Sequence, residues 1–119
     1  MHCVLIVDDD VINIKLIGNA FRQSCKTLFA TNGSDALKMA KVNKPTVILL
    51  DVVMPGMNGF EVCEKLKSDP LTEQIPVFFV SAETSDKDIR HGLELGAIDY
   101  ICKPFHPDDL KARVMKHLN

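Results

Sequence analysis

The stretch that decides the fold is residues 47–51, with the sequence VILLD, and the loop that follows it over residues 52–59, VVMPGMNG. Four apolar residues are too short a run for a helix and turn formers flank them, so the run predicts a buried strand. Asp51 then lies at the end of that strand, in front of a loop rich in Pro and Gly. Because an aspartate in such a position is often only a chain-turning residue, its role depends on what the other strands carry.

The size and composition are those of one globular domain. The chain has 119 residues, 46% hydrophobic and 25% charged, which suffices for one core but not for two. The formal net charge is -2 at pH 7, so no basic field is available to hold nucleic acid or an acidic membrane. Since no segment approaches the ~20 apolar residues of a membrane span, we expect a cytoplasmic protein.

The cysteines and histidines carry no pattern of a metal or disulfide site. The cysteines are scattered without a Cys-x-x-Cys pair, which favours reduced buried thiols over disulfides or zinc. The histidines show no metal-ligand spacing, and we interpret them as surface or loop residues. These residues are Cys3, Cys25, Cys63 and Cys102, and His2, His91, His106 and His117.

Apolar runs and helical stripes alternate along the chain. The predicted strands cover residues 3–7, 27–30, 47–50, 77–80 and 99–102. The predicted helices cover residues 11 to about 24, a segment capped by Gly33 or Ser34, residues 59–68, residues 86–95, and a last helix that begins at Pro107. This alternation predicts a parallel sheet with right-handed crossovers and helices on both faces.

Polar residues follow four of these strands. In an open parallel sheet, ligands bind beyond the carboxyl ends of the strands, at the point where the strand order reverses. The residues that this chain brings to that edge are Asp8, Asp9 and Asp10 after the first strand, Asp51 after the third, Ser81 after the fourth and Lys103 after the fifth. The result is an acidic cluster with one hydroxyl and one cation.

Such a cluster suits a divalent cation and a phosphoryl group. Crowded carboxylates repel one another unless a cation neutralises them, and hard oxygen ligands favour Mg²⁺. With that charge screened, Asp51 can approach an anionic phosphoryl donor, while Lys103 and Ser81 contact the equatorial oxygens during in-line transfer. The expected product is an aspartyl phosphate on Asp51.

Four motifs resemble the receiver domain of two-component response regulators, and the resemblance covers essentially the whole chain. The motifs are VDDD at residues 7–10, LLD with MPGMNG at 49–51 and 54–59, VSA at 80–82, and the segment from Gly96-Ala97 through Tyr100 to Lys103-Pro104-Phe105. The resemblance implies one receiver domain over residues 1–119, with a flavodoxin-like, doubly wound, five-stranded parallel sheet in the order 2-1-3-4-5. Five helices would complete a three-layer α/β/α fold.

The resemblance also implies a role for each site residue. Asp8 and Asp9 are similar to the acid pair that organises Mg²⁺, for which Mn²⁺ is an acceptable substitute, and Val53 would offer its backbone carbonyl to the ion. Asp51 corresponds to the phosphoacceptor, Ser81 to the switch hydroxyl and Lys103 to the phosphate-contacting lysine. Asp10 falls outside the acid pair, and we interpret it as a helix cap or a surface acid.

Tyr100 has two interpretations. It could be a packed aromatic side chain on an edge strand, whereas the resemblance makes it a switch residue whose ring fills the space that Ser81 vacates when Asp51 is phosphorylated. The resemblance also favours a cis peptide bond between Lys103 and Pro104.

The sequence therefore predicts a phosphorylated regulatory domain, not an enzyme that turns over an external substrate. The expected partners are a sensor histidine kinase or a histidine phosphotransfer protein, and an output domain or protein partner that reads the surface of helix 4, strand 5 and helix 5. A homodimer through helices 4 and 5 is a further hypothesis. The last helix resembles the end of receivers that continue into another domain.

Two other functions remain open from the sequence. An aspartate-nucleophile phosphatase would require a second acid two residues after Asp51, where this chain has Val53. A flavin- or nucleotide-binding flavodoxin-like module would require a Gly-rich phosphate cradle after the first strand, where this chain has three acids.

Overall fold

The computed structural model describes residues 2–118. Its elements are β1 (Cys3–Val7), α1 (Val11–Phe21), β2 (Lys26–Ala30), α2 (Gly33–Asn43), β3 (Val47–Leu50), α3 (Gly59–Ser68), β4 (Val77–Ser81), α4 (Asp86–Glu94), β5 (Asp99–Cys102) and α5 (Pro107–Leu118). The five strands form one parallel sheet in the order β2-β1-β3-β4-β5. This confirms the predicted flavodoxin-like, doubly wound architecture.

Both faces of the sheet are buried under helices. Since successive side chains of a strand point to opposite sides, β1, β3, β4 and β5 each contribute residues to both apolar clusters. On one face, Ile6, Leu49 and Phe78 pack with the apolar residues of α1 and α5. On the other face, Leu5 and Phe79 pack with the apolar residues of α2 and α3. The continuous apolar runs of the sequence, and β3 above all, are therefore covered by helices on two sides.

Two predicted boundaries in the first half of the chain need correction. The first helix ends at Phe21 and not near residue 24, because the amides of Ser24 and Cys25 both donate to the carbonyl of Phe21 and close the chain into a turn. The cap of α2 is Asn32, not Gly33 or Ser34, which are already helical. Its side-chain oxygen accepts the amide of the third helical residue at 2.8 Å, a bond that glycine has no side chain to make.

The cysteines and histidines occupy the places that their sequence context suggests, with one correction. In the described chain all four cysteines are free, but only Cys25 and Cys63 are buried, while Cys3 and Cys102 are half-buried. Burial raises the pKa of the Cys63 thiol to about 11, so this thiol is protonated at neutral pH. His91, His106 and His117 are exposed and His2 is half-buried.

Among residues 2–118 no helix has both the length and the apolar character that crossing a membrane requires.

Candidate functional site at the carboxyl edge of the sheet

Three backbone hydrogen bonds join neighbouring strand ends at the positions where the polar residues begin. The amide of Asp51 donates to the carbonyl of Val7 at 2.9 Å, which joins the end of β3 to that of β1. The amide of Asp8 donates to the carbonyl of Ala30 at 3.1 Å, and the amide of Lys103 donates to that of Ser81 at 2.8 Å. The main chain at these residues is therefore fixed, and their side chains leave the sheet at one edge.

Lys103 bridges two buried carboxylates at this edge. Its Nζ lies 2.9 Å from Oδ2 of Asp8 and 3.1 Å from Oδ2 of Asp51, although the three residues come from three different strand ends. The two aspartates are only 2% and 6% exposed. Since buried carboxylates require a counter-charge, the ammonium group stabilises both of them in this arrangement.

The acidic residues also form a suitable donor set for a divalent cation. Asp8, Asp9 and Asp51 each offer a carboxylate oxygen, and these oxygens lie within 4.8 Å of one another. Asp9 is exposed, so the cluster opens to solvent on its side. Oxygen donors grouped on an open face fit Mg²⁺, which retains several waters and takes few protein ligands. Val53, the predicted carbonyl ligand, lies in the loop after Asp51 with its side chain exposed.

Asp10 does not belong to this set. Its side chain accepts the amide of Ile12 at 2.9 Å and caps α1, as predicted. Its own amide donates to Oδ1 of Asp8 at 2.8 Å. Asp10 therefore starts the helix and orients one of the two buried carboxylates, while its charge stays at the surface.

The β4–α4 loop is tied to the site through Glu83. The hydroxyl of Ser81, which is fully buried, accepts the amide of Glu83 at 3.1 Å. The hydroxyl of Tyr100 donates to the carbonyl of the same residue. Tyr100 is only 5% exposed, and burial raises its pKa, so it remains a neutral donor. Ser81 and Tyr100 thus hold one loop residue from opposite ends of its backbone.

The pKa values of Asp51 and Lys103 reflect the same crowded pocket. Burial raises the pKa of Asp51, and the charge of Asp8 raises it further, against the opposing effect of Lys103. Burial alone would lower the pKa of Lys103, but its hydrogen bond to Asp8 and the charge of Asp51 outweigh burial and raise it. The lysine therefore stays charged, and Asp51 is the member of the group whose charged form is disfavoured by its surroundings.

Asp51→Asn is expected to stabilise the metal-free protein at neutral pH by about 1 kcal/mol, because it removes a poorly solvated charge and keeps an acceptor for Lys103. The folded state holds a proton on Asp51 more tightly than the unfolded state does. Asp51 therefore costs stability as the pH rises from the ordinary carboxyl range through its raised pKa, and this cost disappears in acid.

Urea unfolding of both proteins with chelator, at about pH 7 and about pH 4, measures this difference. We expect the stability advantage of the variant to shrink at the lower pH. A stability advantage of equal size at both pH values would show that the charge of Asp51 is not what destabilises the folded protein.

Gly59 supports the phosphoacceptor candidate from behind. A Cβ atom at Gly59 would lie 2.1 Å from the carbonyl oxygen of Asp51 and 2.8 Å from Cα of Val52. The amide of Gly59 donates to the carbonyl of Val52 at 2.8 Å. The first turn of α3 therefore lies directly on the main chain at Asp51, which only a residue without a side chain permits.

Gly59→Ala is expected to destabilise the protein by about 3 kcal/mol, because the methyl group must displace either α3 or the Asp51 peptide. Gly18→Ala is the matched control, since a Cβ atom there has no neighbour within 4 Å. That variant is expected to gain about 1 kcal/mol from the better helix propensity of alanine. Denaturant unfolding compares the two, and equal effects would refute the close contact at Gly59.

The sequence pattern did not identify two of these contributors. The sequence places Gly59 at the end of the Pro/Gly-rich loop and at the start of a helix but does not predict its contact with the main chain at Asp51, although a glycine in that place is a signal that a close backbone approach can produce. The backbone carbonyl of Glu83, the acceptor for Tyr100, has no sequence signal, because any residue supplies the same group.

The fold and the site together define a class of protein. The arrangement is that of a signalling receiver domain: an open α/β sheet with an acidic pocket, a bridging lysine and a buried hydroxyl at its carboxyl edge. The Lys103–Pro104 bond is cis, as the resemblance favoured. The chain belongs to the response regulator receiver domain family, whose model matches residues 4–115.

Individual relatives agree with this assignment. The chain is 44% identical over 112 residues to the response regulator PleD of Caulobacter vibrioides, covering 93% of this chain and 25% of that protein. It is 40% identical over 111 residues to the transcriptional regulatory protein AfsQ1 of Streptomyces coelicolor, covering 93% and 48%. The chain spans about a quarter to a half of the curated relatives that it matches.

A solved structure gives the same fold. The receiver domain of DrrB from Thermotoga maritima, described as BeF3-activated, superposes with a TM-score of 0.90 at 30% identity, covering 99% of this chain and 97% of that one. The chain is thus a receiver domain similar to those of longer response regulators.

Proposed function

We propose that this receiver domain is a phosphoacceptor switch in which Asp51 takes a phosphoryl group from a histidine kinase or a histidine phosphotransfer protein, in a Mg²⁺-dependent reaction. The observation that carries the proposal is the juxtaposition of Asp51 with Asp8, Asp9 and Lys103 at one edge of the sheet. Asp51 is a buried carboxylate beside a positively charged side chain and a donor set for a cation. These positive charges would offset the negative charge of an incoming phosphoryl group.

The proposed transfer needs no other covalent chemistry from the protein. An oxygen of Asp51 forms the new bond to phosphorus while the bond from phosphorus to the donor imidazole nitrogen breaks, and that nitrogen keeps the electron pair. Lys103 then contacts the phosphoryl oxygens instead of Oδ2 of Asp51. A Mg²⁺ ion held by the three carboxylates, with the carbonyl of Val53 as a further ligand, would neutralise charge on the phosphoryl oxygens.

The proposed switch acts through the backbone of Glu83. If the hydroxyl of Ser81 turns to donate to a phosphoryl oxygen, it gives up the amide of Glu83, and the β4–α4 loop loses one of its two anchors. The other anchor is the hydrogen bond from the Tyr100 hydroxyl to the carbonyl of Glu83. Once the loop is held by this bond alone, the ring of Tyr100 and α4 can adopt a second packed arrangement. The surface of α4, β5 and α5 would carry this change to an output domain or protein partner, or to a homodimer.

A groove beside the site supports a protein as the phosphoryl donor. Leu16 of α1, Ala82 and the segment 103–105 line an open space of about 340 Å³ next to Lys103. Ile12, on the same helix, is 69% exposed. An apolar surface beside a charged pocket suits a partner that presents its phosphohistidine to Asp51. In this proposal the domain assists its own phosphorylation and slow dephosphorylation and turns over no external substrate.

Incubation with acetyl phosphate tests the proposal without a kinase. We expect intact-mass spectrometry to detect the addition of one phosphoryl group in the presence of Mg²⁺ or Mn²⁺, and none when a chelator replaces the metal. Continuous release of phosphate without a labelled protein would favour the phosphatase alternative. Labelling that is independent of metal would contradict the proposed role of the acidic cluster.

A further inference from the structure

We propose that a contact between Phe60 of α3 and His91 of α4 couples the position of α4 to the main chain at Asp51. It would give phosphorylation a second route to α4, one that does not depend on the hydrogen bonds of the Ser81 and Tyr100 hydroxyls. This inference rests on the proposed function, because it concerns how a change at Asp51 reaches the proposed output surface.

α4 is held to the rest of the domain by a small set of contacts. Within this helix, all of whose residues are described, Gly92 is the one buried residue. A Cβ atom there would lie 2.9 Å from Cδ2 of Phe79 and 3.0 Å from Cδ2 of Tyr100, so the bare backbone of α4 rests on two aromatic rings. Ile89 adds a partly buried side chain against the core, as does Leu95 directly after the helix, but none of the described side chains of α4 is fully buried. This helix can therefore change position at lower cost than a helix with a buried apolar face.

A ring pair also joins α3 to α4, in addition to the contacts of α4 with the core. The rings of Phe60 and His91 have their centroids 4.6 Å apart in an edge-to-face arrangement, although His91 is exposed at the surface. Phe60 also packs edge-to-face on Phe79, at 5.3 Å. Phe60 therefore connects α3 both to the sheet and to α4. Its contact on α4, His91, directly precedes Gly92, the residue that lies on the ring of Tyr100.

The other end of this connection is the phosphoacceptor candidate itself. Phe60 follows Gly59, which lies in contact with the carbonyl group of Asp51 and is bonded to the carbonyl of Val52. No flexible side chain lies between the two backbones, so a shift of the Asp51–Val52 peptide moves the first turn of α3. The ring of Phe60 moves with that turn and carries the displacement to His91 and α4.

A contact that only stabilises the fold would be independent of phosphorylation, and the test uses this difference. The variants are Phe60→Leu, which keeps apolar bulk on Phe79, His91→Gln, and the double variant. The matched control is His117→Gln, because His117 makes a similar edge-to-face contact with Phe78, at 5.8 Å, but belongs to α5. Each protein is studied with Mg²⁺ alone and with Mg²⁺ and excess acetyl phosphate.

The measured quantity is the factor by which phosphorylation changes hydrogen exchange at the α4 amides, with intact mass reporting the labelling of the same samples. We expect either single substitution to reduce this factor about two- to tenfold, the equilibrium equivalent of one aromatic pair. We expect this factor to fall no further in the double variant than in the more affected single variant. In the His117→Gln control we expect the same factor as in the wild-type protein. In a Tyr100→Phe background, His91→Gln should still reduce what response remains.

The outcomes separate this inference from the proposed function. Normal labelling with an unchanged α4 response in both single variants overturns the inference alone, as do effects that multiply in the double variant. An equal loss in His117→Gln, or no effect of His91→Gln in the Tyr100→Phe background, also overturns it. Failure of the wild-type protein to be labelled at all would refute the proposed function, and the inference with it.

Discussion

Asp51→Asn is expected to abolish the incorporation of a phosphoryl group from acetyl phosphate, as measured by intact mass. The amide of asparagine carries no negative charge and its oxygen is a far weaker nucleophile than a carboxylate oxygen, so the bond to phosphorus cannot form. The substitution preserves the size of the side chain and an acceptor for Lys103, which lies 3.1 Å from Oδ2 of Asp51. The loss would therefore not result from unfolding.

Asp10→Asn is the matched control for this experiment. It makes the same chemical change near the same strand ends, but Asp10 caps α1 and lies outside the cluster of Asp8, Asp9 and Asp51. Asparagine is an equally good N-cap, so stability is retained. We expect this variant to be labelled like the wild-type protein. Equal labelling of the Asp51→Asn protein would contradict the assignment of Asp51 as the acceptor.

Lys103→Met is expected to slow labelling by acetyl phosphate by about 10²–10³-fold, the usual effect of removing one charged donor from a site that stabilises developing negative charge. Its ammonium group contacts both buried carboxylates, at 2.9 and 3.1 Å, and is the charged donor of the described site that can follow the phosphoryl oxygens. The methionine fills a similar volume but leaves Asp8 and Asp51 without this counter-charge, so saturating Mg²⁺ is required in the assay.

Lys15→Met controls for the change in net charge, because Lys15 is an exposed residue of α1. We expect its labelling rate to match that of the wild-type protein, while Lys103→Arg restores part of the lost rate by returning the charge in a different geometry. A Lys103→Met protein that is labelled as fast as the Lys15→Met protein would show that the lysine only balances charge in the resting state.

Much of the fold could be predicted because the strands here have strong signals. β1, β3 and β4 are short, continuous apolar runs typical of strands buried on both faces of a parallel sheet, and a polar residue at or directly after the end of each marks the functional edge. Helix boundaries have weaker sequence signals, since they depend on single hydrogen bonds. The cap at Asn32 and the early end of α1 at Phe21 were decided by individual side-chain and backbone bonds.

The site could be predicted where chemistry is carried by side chains at strand ends. Asp8 and Asp51 meet because β1 and β3 are adjacent parallel strands whose carboxyl ends share one edge, whereas Lys103 follows β5, further along the sheet, and reaches both carboxylates with its long side chain. What the sequence could not give were contacts made by backbone atoms or by the absence of atoms, such as the carbonyl of Glu83 and the bare Cα of Gly59. These depend on how tightly elements distant in sequence approach one another.

Direct location of the phosphoryl group tests the central claim. Protein labelled with acetyl phosphate and Mg²⁺ is reduced with borohydride, which converts an aspartyl phosphate to homoserine, and is then digested and sequenced by mass spectrometry. We predict homoserine at position 51 alone. Homoserine at residue 8 or 9, or label retained on a serine, a lysine or a histidine, would contradict the account.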